Sequence, residues 1–272
     1  MFSILILTYN EELNLEACLD SISWCDDIWI LDSGSTDKTL EIAKARGCHI
    51  LSRKFDDFGN QRNYAIDTAT FKHPWVFDLD ADERFTIELK KECEEVIQKD
   101  KKSGYYCSYK NMMWGKWLKY STGFPVWQMR LHKLGEIRFV AHGHGQREGA
   151  SLRGIGYLKQ PYIHYDFSKG LTAWFSKHVD YARREAELRL ELEKNREIIC
   201  DNNRVSKRRR LKQLAYKMPF QPLLRFVWCY LVNMGFLDGI AGWRYAKMQM
   251  CFQYMIDTIY KDLKMKDKVY KK

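Results

Sequence analysis

Short apolar segments alternate with longer polar segments through the first hundred residues of the chain. The apolar segments, at 2–7, 28–31, 49–51 and 75–79, are rich in β-branched and aromatic residues, which favour strands. The polar segments, at 11–22, 36–46, 60–68 and 86–98, have the length and patterning of helices. This alternation predicts βαβ units, and therefore an α/β fold with a mainly parallel sheet that carries helices on both faces.

The pattern changes twice after residue 102. Between residues 103 and 165 it becomes aromatic-rich and punctuated by glycine, with strands predicted at 104–110 and 126–133 that would complete the sheet. From residue 170 onward it is helical, most clearly over 171–194. We therefore predict an α/β domain over residues 1–168, made of halves 1–102 and 103–168, and a helical C-terminal region over 169–272.

The chain of 272 residues has a formal net charge of +10, and this charge is concentrated in its last third. Residues 1–170 contain 23 Lys and Arg against 24 Asp and Glu, whereas residues 171–272 contain 22 against 11. A composition that is 46% hydrophobic excludes a disordered protein. A basic region attached to a nearly neutral domain indicates an anionic partner, either lipid headgroups or nucleic acid.

The segment 218–236 is apolar and aromatic, but Gln221, Arg225 and Asn233 interrupt it and its longest apolar run covers 226–232. A helix needs about 20 predominantly apolar residues to span a bilayer, so this segment is too short. With the basic run at 207–210 upstream, the segment is typical of a helix that lies in the membrane interface. A core helix packed on the α/β domain explains the same pattern, and the sequence leaves both interpretations open.

The cysteine pattern bears on the cellular compartment. The eight cysteines lie at irregular spacings and form no Cys-x-x-Cys pair. The first residues do not read as a signal peptide. Both features favour reduced thiols and a cytoplasmic location.

Polar and acidic residues follow three of the predicted strands at the point where each strand ends. They are Thr8-Tyr9-Asn10-Glu11, Asp32-Ser33-Gly34-Ser35-Thr36-Asp37 and Asp80-Ala81-Asp82-Glu83. In open α/β sheets ligands bind outside the carboxyl ends of the strands, so we expect these clusters to converge on one site.

Two of these clusters contain candidate chemistry. Asp80 and Asp82 form an Asp-x-Asp pair whose carboxylates suit Mg²⁺ or Mn²⁺, although an acidic loop is often only solvated. Such an ion would stabilise a diphosphate leaving group as a Lewis acid. In the second cluster, Asp32 is a candidate contact to a base or ribose, and the Ser/Thr run beyond it is able to cap the next helix.

These motifs together resemble the family 2 glycosyltransferases. The resemblance rests on Ile-Leu-Ile-Leu-Thr-Tyr-Asn-Glu-Glu, Asp-Ser-Gly-Ser-Thr-Asp, Gly-Asn-Gln-Arg-Asn at 59–63 and Leu-Asp-Ala-Asp-Glu, in this order. Later segments, at 142–148, 163–170 and 235–239, resemble a bacterial subgroup that adds sugars to lipopolysaccharide core or to lipid-linked exopolysaccharide precursors. The resemblance implies a GT-A fold, with nucleotide-sugar binding over 1–102 and acceptor binding over 103–168.

The resemblance also implies roles for individual positions. Arg62 would reach the donor, Asp80 would contact ribose or metal, and Asp82 would be the metal ligand proper. Thr8, Tyr9 and Glu11 would line the nucleotide pocket, and Asp32 would contact the uracil or its ribose. This chain departs from the family at Asp78, where an apolar residue is usual; we expect Asp78 to be non-catalytic because strand interiors do not reach the cleft.

Enzymes of this type invert the anomeric centre, which requires a base near the acceptor hydroxyl. Glu148 is the first candidate, with His144 and His142 as alternatives; a zinc site at His142 and His144 is disfavoured because the other candidate ligands are carboxylates elsewhere. His164 is either a core histidine or part of the metal or diphosphate site. Arg130 is a candidate contact to the acceptor or diphosphate.

The sequence therefore predicts an inverting transferase that uses a nucleotide diphosphate sugar, with UDP-sugars favoured, and a membrane-borne glycan acceptor. It predicts a peripheral location on the inner face of the plasma membrane and a contact with anionic lipid. The alternative from another class is a basic protein that binds nucleic acid or membrane without catalysis, although no nucleic-acid-binding motif is present. Nucleotidyltransferases and nicotinamide enzymes are disfavoured because no glycine-rich phosphate loop follows a predicted strand.

Overall fold

The structure, a computed structural model, describes residues 1–142, 145–195 and 218–270. Its strands are β1 (Ser3–Thr8), β2 (Ile28–Asp32), β3 (His49–Ser52), β4 (Trp75–Asp80), β5 (Glu83–Arg84), β6 (Gly104–Met113), β7 (Lys116–Trp117), β8 (Trp127–Lys133), β9 (Phe139–His142), β10 (Gly145–Glu148), β11 (Ile155–Tyr157) and β12 (Tyr162–His164). Its α-helices are α1 (Leu15–Ser21), α2 (Thr39–Ala45), α3 (Phe58–Thr68), α4 (Ile87–Lys99), α5 (Gly170–Asn195), α6 (Gln221–Val227) and α7 (Gly239–Tyr270). A π-helical turn, Trp228–Val232, and a 3-10 turn, Gly235–Asp238, separate the last two helices.

The described residues divide into two compact units. The first contains Met1–Met113, Phe124–Ala141 and Gly145–Lys169, and the second contains Trp114–Gly123, His142 and the described residues from Gly170 onward. The first unit carries the sheet and the residues predicted to bind donor and metal. The second is helical apart from the short strand β7.

The sheet of the first unit runs in the order β3-β2-β1-β4-β8-β6-β12-β5, with β11 also paired to β6. Strands β1 to β4 are parallel to one another. Strand β8 is antiparallel to both β4 and β6, and β12 is parallel to β6. The predicted α/β class with a mainly parallel sheet is confirmed, and the antiparallel strand β8 joins its two parallel parts.

Alternation along the central strand β1 divides the core between the two faces of the sheet. Ile4 and Ile6 point into a cluster with the apolar sides of α1, α2 and α4, whereas Leu5 points into a second cluster with α3. Side chains of this size stabilise the fold by about 1.5–3 kcal/mol each when they are fully buried. Helices therefore cover both faces, as predicted.

The six strands predicted within the first 133 residues are all present, and the helices differ from prediction mainly at their ends. Helix α3 begins at Phe58 because the Asp57 carboxylate caps it and accepts a hydrogen bond from the Asn60 amide at 2.8 Å. Helix α1 begins only at Leu15, after a turn at residues 12–14. The short strands β5 and β9 to β12 were not predicted, because strands of two to four residues show no periodic pattern.

Helices α5 and α7 pack together in the second unit. The Arg189 guanidinium lies over the Tyr260 ring, 3.8 Å from its centroid, and forms an ion pair with Asp257 at 3.4 Å. At the other end of α7, the buried Asp238 carboxylate accepts hydrogen bonds from the amides of Tyr120 and Ser121, at 3.1 and 2.8 Å. Asp238 thereby fixes the loop 114–123 to the start of this helix.

The helices of the second unit bear on the predicted membrane contact. Within the described residues no single helix is long and apolar enough to cross a membrane. Two helical segments, Gln221–Val232 and Gly235–Asp267, meet that criterion only when taken together, and a bend of 72° separates them. The basic run at 207–210 lies outside the described residues.

The turn into α7 depends on two glycines. A Cβ added to Gly242 would lie 2.1 Å from the carbonyl oxygen of Gly235 and 2.8 Å from Cβ of Asp238. Both distances are shorter than the contacts that Cβ atoms make in proteins. The nearer atom is a main-chain oxygen, which cannot move without the rest of the backbone. Backbone packing in this turn therefore excludes any side chain at Gly242.

We predict that Gly242→Ala destabilises the protein by about 1–3 kcal/mol, as overpacking in other cores does. Thermal unfolding followed by circular dichroism should show a melting temperature lower by about 2–4 °C for each kcal/mol lost. The matched control is Ile240→Ala, two residues away on the same helix, where the side chain is 73% exposed. Equal melting temperatures for the two variants would contradict the close approach.

Candidate active site

The carboxyl ends of β1, β2 and β4 lie side by side. Thr8 is opposite Asp32 in the register of β1 and β2, and Leu7 is opposite Asp80 in the register of β1 and β4. The three polar clusters therefore share one edge of the sheet, where ligands bind in folds of this kind. The convergence expected from the sequence is present.

Asp32 is buried and uses its hydrogen-bonding capacity inside the chain. Its Oδ1 accepts from the hydroxyls of Thr8 and Ser35, at 2.9 and 2.5 Å, and its Oδ2 accepts from the amides of Gly34 and Ser35, at 2.9 and 2.8 Å. An ionised carboxylate offers about four lone-pair sites, so these bonds occupy all of them. Asp32 holds the loop after β2 against the end of β1, and its contact with a base or ribose stays a prediction.

The loop after β1 is bonded to the loop after β2. Asn10 has a φ of 53°. Its side-chain Oδ1 accepts a hydrogen bond from the Thr36 amide at 2.8 Å, and its main-chain amide donates to Ser35 Oγ at the same distance. The Glu11 amide donates to Thr39 Oγ1 at 2.7 Å. Asparagine is one of the few residues that adopts this left-handed conformation readily. The two loops form one hydrogen-bonded rim.

The expected Ser/Thr cap on α2 is absent. This helix begins at Thr39 without a side-chain hydrogen bond from its N-cap residue Lys38. Instead Asp37 Oδ1 accepts a hydrogen bond from the Thr39 amide at 3.0 Å. The Ser and Thr side chains are engaged across the rim, so the prediction that they cap the helix is wrong.

Glu11 and Lys169 close this rim on one side. Lys169 Nζ donates to Glu11 Oε1 and to the carbonyl oxygen of Asn10, both at 2.6 Å. Burial raises the pKa of the Glu11 carboxyl, although Asn14 and Lys169 act in the opposite direction. The neighbouring Tyr9 ring is 60% exposed, so it is open to a ligand at this edge. Thr8, Tyr9 and Glu11 lie at the carboxyl end of β1 and just beyond it, and their contacts with a nucleotide remain predictions.

Asp80 lies between two buried arginines. Arg62 Nη2 donates to its Oδ1 at 3.4 Å, and Arg130 Nη2 donates to its Oδ2 at 3.0 Å. Burial by itself would raise the pKa of Asp80, but the charges of Arg130 and Arg62 outweigh it and lower the pKa. The side chain is still 36% exposed, so the ionised carboxylate keeps one open face.

Arg130 is almost fully buried by its partners. Its Nη2 also donates to Glu83 Oε1 at 2.6 Å, and its Nε donates to the Tyr162 hydroxyl at 3.1 Å. Burial raises the pKa of Glu83 to about 8, although the charge of Arg130 works against this shift. Arg62 and Arg130 therefore pair with acidic residues in this structure. Their predicted contacts with donor, acceptor or diphosphate remain untested.

Asp82, His164 and Asp166 form a second cluster next to Asp80 in sequence. One ligand atom from each of the three lies within 4.8 Å of the others, and each side chain is partly exposed. The main chain fixes this arrangement, because the Tyr165 amide donates to the Asp82 carbonyl at 2.9 Å and β12 pairs with β5. Asp80 is not a member of the cluster, since both arginines hold its carboxylate.

The donor set of this cluster fits a divalent metal ion. Two carboxylates suit Mg²⁺ and Mn²⁺, and an imidazole nitrogen is a common ligand of transition metals. His164 Nε2 is 3.4 Å from Asp82 Oδ2, and its Nδ1 is buried without a hydrogen-bond partner among the described residues. This ligand set includes His164. A place in the metal site is one of the two interpretations that the sequence left open for this residue.

The protonation of His164 follows from its neighbours. Burial by itself would lower the pKa of the imidazole, but the charge of Asp82 and a hydrogen bond to it outweigh burial. With smaller contributions from Glu83 and Asp166, the pKa rises to about 9. Without a metal, His164 is therefore mostly protonated at neutral pH.

Glu148, the candidate base, ends strand β10. Its Oε1 accepts a hydrogen bond from the Tyr106 hydroxyl. The same strand is tied to helix α3, because Arg62 Nη1 donates to Gln146 Oε1 at 2.8 Å. The alternative candidate His144 lies outside the described residues, as does the side chain of His142. The assignment of the base stays a prediction.

Sequence reasoning missed Asp166 and Lys169. Both belong to the segment 163–170 that contributed to the family resemblance, and Asp166 is two residues from His164. A His-x-Asp pair after a short apolar strand was a usable signal for a ligand pair. Glu83 was also missed as a structural residue, because nothing local shows that its carboxylate is buried against Arg130.

Residues 3–152 of the chain match the model of the family described as Glycosyl transferase family 2. The chain belongs to this family. Its parallel sheet, strand-end clusters and covering helices form the GT-A architecture that the resemblance implies.

Curated relatives of this family 2 chain match about a third of it. The lipopolysaccharide core biosynthesis glycosyltransferase LpsC of Rhizobium meliloti is 30% identical over 100 residues, which cover 35% of this chain and 36% of LpsC. An uncharacterized glycosyltransferase of Rickettsia bellii is 30% identical over 104 residues, which cover 38% of this chain and 35% of the relative. The chain thus spans only 35–36% of the length of these relatives.

Two solved structures resemble the family 2 chain more distantly. S. aureus TarS 1-349 in complex with UDP-GlcNAc has a TM-score of 0.49 and 14% identity, covering 97% of this chain and 91% of that chain. Glucosyl-3-phosphoglycerate synthase from Mycobacterium tuberculosis, in complex with Mn²⁺, UDP and glucosyl-3-phosphoglycerate, has a TM-score of 0.35 and 22% identity, covering 40% and 44%. Likeness at this level carries no information about the ligands of this chain.

We predict that Mn²⁺ binding releases about one proton at neutral pH, because His164 must lose its proton to become a ligand. The affinity should rise by about tenfold for each pH unit between 7 and 9, and level off above the pKa of His164. The stability of the metal-free protein should change with pH in the opposite direction to the Mn²⁺ affinity. Folding raises the pKa of His164 from 6.5 to about 9, so the contribution of His164 to the free energy of unfolding is complete below pH 6.5 and is lost as the pH rises through 9.

Calorimetric titration with Mn²⁺ in two buffers of different protonation enthalpy measures this proton release. The control is His164→Asn, which keeps an oxygen ligand but has no proton to lose, and should bind Mn²⁺ without the pH dependence. If wild-type protein binds Mn²⁺ with no proton release between pH 7 and 9, His164 is not a ligand.

Proposed function

We propose that this family 2 protein transfers a sugar, with inversion, from a nucleotide diphosphate sugar to a glycan acceptor carried on a membrane lipid. The observation that carries the proposal is the cluster of Asp82, His164 and Asp166 beside Asp80 at the ligand-binding edge of the sheet. UDP-sugars are the first donors to test. The name of the Rhizobium relative LpsC supports a role in lipopolysaccharide biosynthesis, and exopolysaccharide biosynthesis is the alternative pathway.

In this proposal the chain supplies a charged cradle for the leaving group. Asp82, His164 and Asp166 hold Mn²⁺ or Mg²⁺, which supplies Lewis-acid stabilisation of the departing diphosphate when bound. Asp80, kept ionised by two arginines, orients the ribose or the ion. The rim formed by the loops after β1 and β2 receives the nucleoside.

The reaction needs a base on the face opposite the leaving group. The acceptor oxygen bonds to the anomeric carbon as the bond from that carbon to the phosphate oxygen breaks, and the nucleoside diphosphate leaves. Glu148 takes the proton of the acceptor hydroxyl. Its strand is held at Gln146 by Arg62, so the base and Asp80 share one positioning residue.

We predict that Asp82→Asn lowers turnover of the donor by about 100-fold or more, because the charge at the leaving group is no longer compensated. Glu148→Gln should lower transfer to the acceptor by about 10²–10⁴-fold while donor binding is retained. The assay is nucleotide release from a panel of UDP-, GDP- and dTDP-sugars with Mn²⁺ or Mg²⁺, with and without acceptor lipid.

The control for this assay is Asp67→Asn, an exposed carboxylate on helix α3 outside the site. It should leave both donor binding and transfer unchanged. If no nucleotide sugar is bound or turned over with either metal, the catalytic proposal fails. Binding to nucleic acid that depends on salt but not on Asp82 would then favour the non-catalytic alternative.

The proposed acceptor and location are supported by features of the second unit. Residues 220–240 expose ten large hydrophobic side chains, among them Trp228, Leu231, Phe236 and Ile240, and in this proposal these side chains form one apolar face. Monomeric soluble proteins rarely expose so many large apolar side chains within one short segment. Residues 218–256 contain one acidic residue, Asp238, and it is buried.

Three exposed cationic residues lie within or beside this apolar face. Arg225, Arg244 and Lys247 lie within or next to it and are exposed, and no exposed carboxylate of the same segment opposes them. Apolar side chains with flanking cations match the acyl boundary and the anionic headgroups of a bilayer. In this proposal the protein docks peripherally on the inner face of the plasma membrane, where lipid-borne acceptors are available.

We predict that the protein sediments with vesicles that contain phosphatidylglycerol at low salt, and that Leu231→Ser, Phe236→Ser and Ile240→Ser together weaken this binding by at least about tenfold. These side chains are exposed, so the fold should survive their replacement. The matched control is Val179→Ser with Met265→Ser, two exposed apolar residues elsewhere in the same unit, which should bind as wild type does. Equal sedimentation of all three proteins would refute the docking face.

A further inference from the structure

Asp78 is a buried carboxylate in the middle of the sheet. It lies in strand β4, opposite Leu5 of β1, and is only 1% exposed. An isolated charge at such a position is strongly unfavourable, so its neighbours must compensate for it. An apolar side chain would fill this position without that requirement.

Two cationic or polar groups face the Asp78 carboxylate. Arg62 Nε from helix α3 is 3.1 Å from Oδ2, and His132 Nε2 from strand β8 is 3.4 Å from the same oxygen. Neither carboxylate oxygen accepts a well-directed hydrogen bond from the described residues. The interaction of Asp78 with Arg62 is therefore an ion pair in a buried environment, where water does not screen it.

The same guanidinium reaches two parts of the candidate active site. Arg62 Nη2 donates to Asp80 at 3.4 Å, and Arg62 Nη1 donates to Gln146 at 2.8 Å. Gln146 lies on β10, two residues before Glu148. The long Arg62 side chain thus has Asp78 beside its Nε and the site beside its two terminal nitrogens.

Stability alone does not account for a carboxylate at this position. Replacing a buried ion pair with apolar residues of similar volume is often neutral or stabilising, because the charges no longer have to be desolvated. An apolar residue cannot form an ion pair with the Nε side of a guanidinium. The geometry links Asp78 to the orientation of Arg62.

We infer that Asp78 is a positioning residue that acts through Arg62, which in turn orients Asp80 and the strand that carries Glu148. The inference rests on the proposed function for its effect on turnover, but the contact itself does not depend on that function. Asp78 touches no substrate in this scheme. It keeps Arg62 from turning away from Asp80 and Gln146.

A double-mutant cycle on donor turnover tests the inference. Asp78→Asn should lower turnover by about tenfold, the range seen when partners of ligand-binding groups are removed. Arg62→Met should lower it at least as much. In the Arg62→Met background, adding Asp78→Asn should change turnover by less than about twofold, since residues that act as a unit are not additive. Additive losses, or full activity in Asp78→Asn, would overturn the inference.

Nuclear magnetic resonance supplies a readout that needs no activity. The Nε–H resonance of Arg62, assigned by its absence in Arg62→Met, should exchange slowly with water in the wild-type protein and rapidly in Asp78→Asn. An unchanged exchange rate in Asp78→Asn would refute the positioning role even if turnover fell. If wild-type protein has no turnover at all, the proposed function fails, and this measurement still decides the inference.

Asp27→Asn is the matched control for both measurements. Asp27 is also a buried carboxylate, but it precedes β2 at the opposite edge of the sheet, where it accepts from the Trp29 indole at 2.9 Å and the Lys72 amide at 2.7 Å. Its neutralisation should lower the melting temperature without changing turnover or the Arg62 resonance. A loss of turnover comparable with that of Asp78→Asn would show that destabilisation alone produces the effect.

Discussion

Buried positive charge is the constraint on which the candidate active site depends. Strand β4 and the turn after it carry three neighbouring acidic residues, Asp78 inside the strand and Asp80 and Glu83 at and beyond its end, and these carboxylates would repel one another if they stood alone. Arg62 and Arg130 lie among them and are nearly inaccessible to solvent. Because buried charges must be paired, the packing of α3 and β8 on this strand and the ionisation of Asp80 are parts of one arrangement.

Internal hydrogen bonds also hold the rim formed by the loops after β1 and β2. The loops after β1 and β2 bond to each other through Asn10, Asp32 and Thr39, so few of their polar atoms need a ligand to become satisfied. Such loops are held in one conformation before any ligand arrives, and binding then orders few additional groups. The three partly exposed residues Asp82, His164 and Asp166 contrast with this rim, since their charges are not fully compensated within the cluster.

The second unit has a different physical character. Its helices pack closely at Gly235 and Gly242 and are tied to the loop 114–123 by one buried carboxylate. Residues 220–240 of this unit instead expose large apolar side chains to water, which is unfavourable for a protein that remains in solution. In the proposed function the nearly neutral unit carries the chemistry, and the basic helical unit, with its exposed apolar side chains, makes the contact with the membrane.

The sequence by itself determined the elements and the strand-end clusters of this protein, because hydrophobic period and strand-end position are local properties. It determined the six strands up to residue 133, the family, and Asp82 as a candidate ligand. Only the tertiary structure decided that Asp166 joins Asp82, that the bonds of Asp32 are filled internally, and that Arg130 is enclosed by acidic partners. These contacts join residues that strand order brings together across long stretches of chain, such as Asp80 and Arg130, and no local pattern encodes which residue will face which.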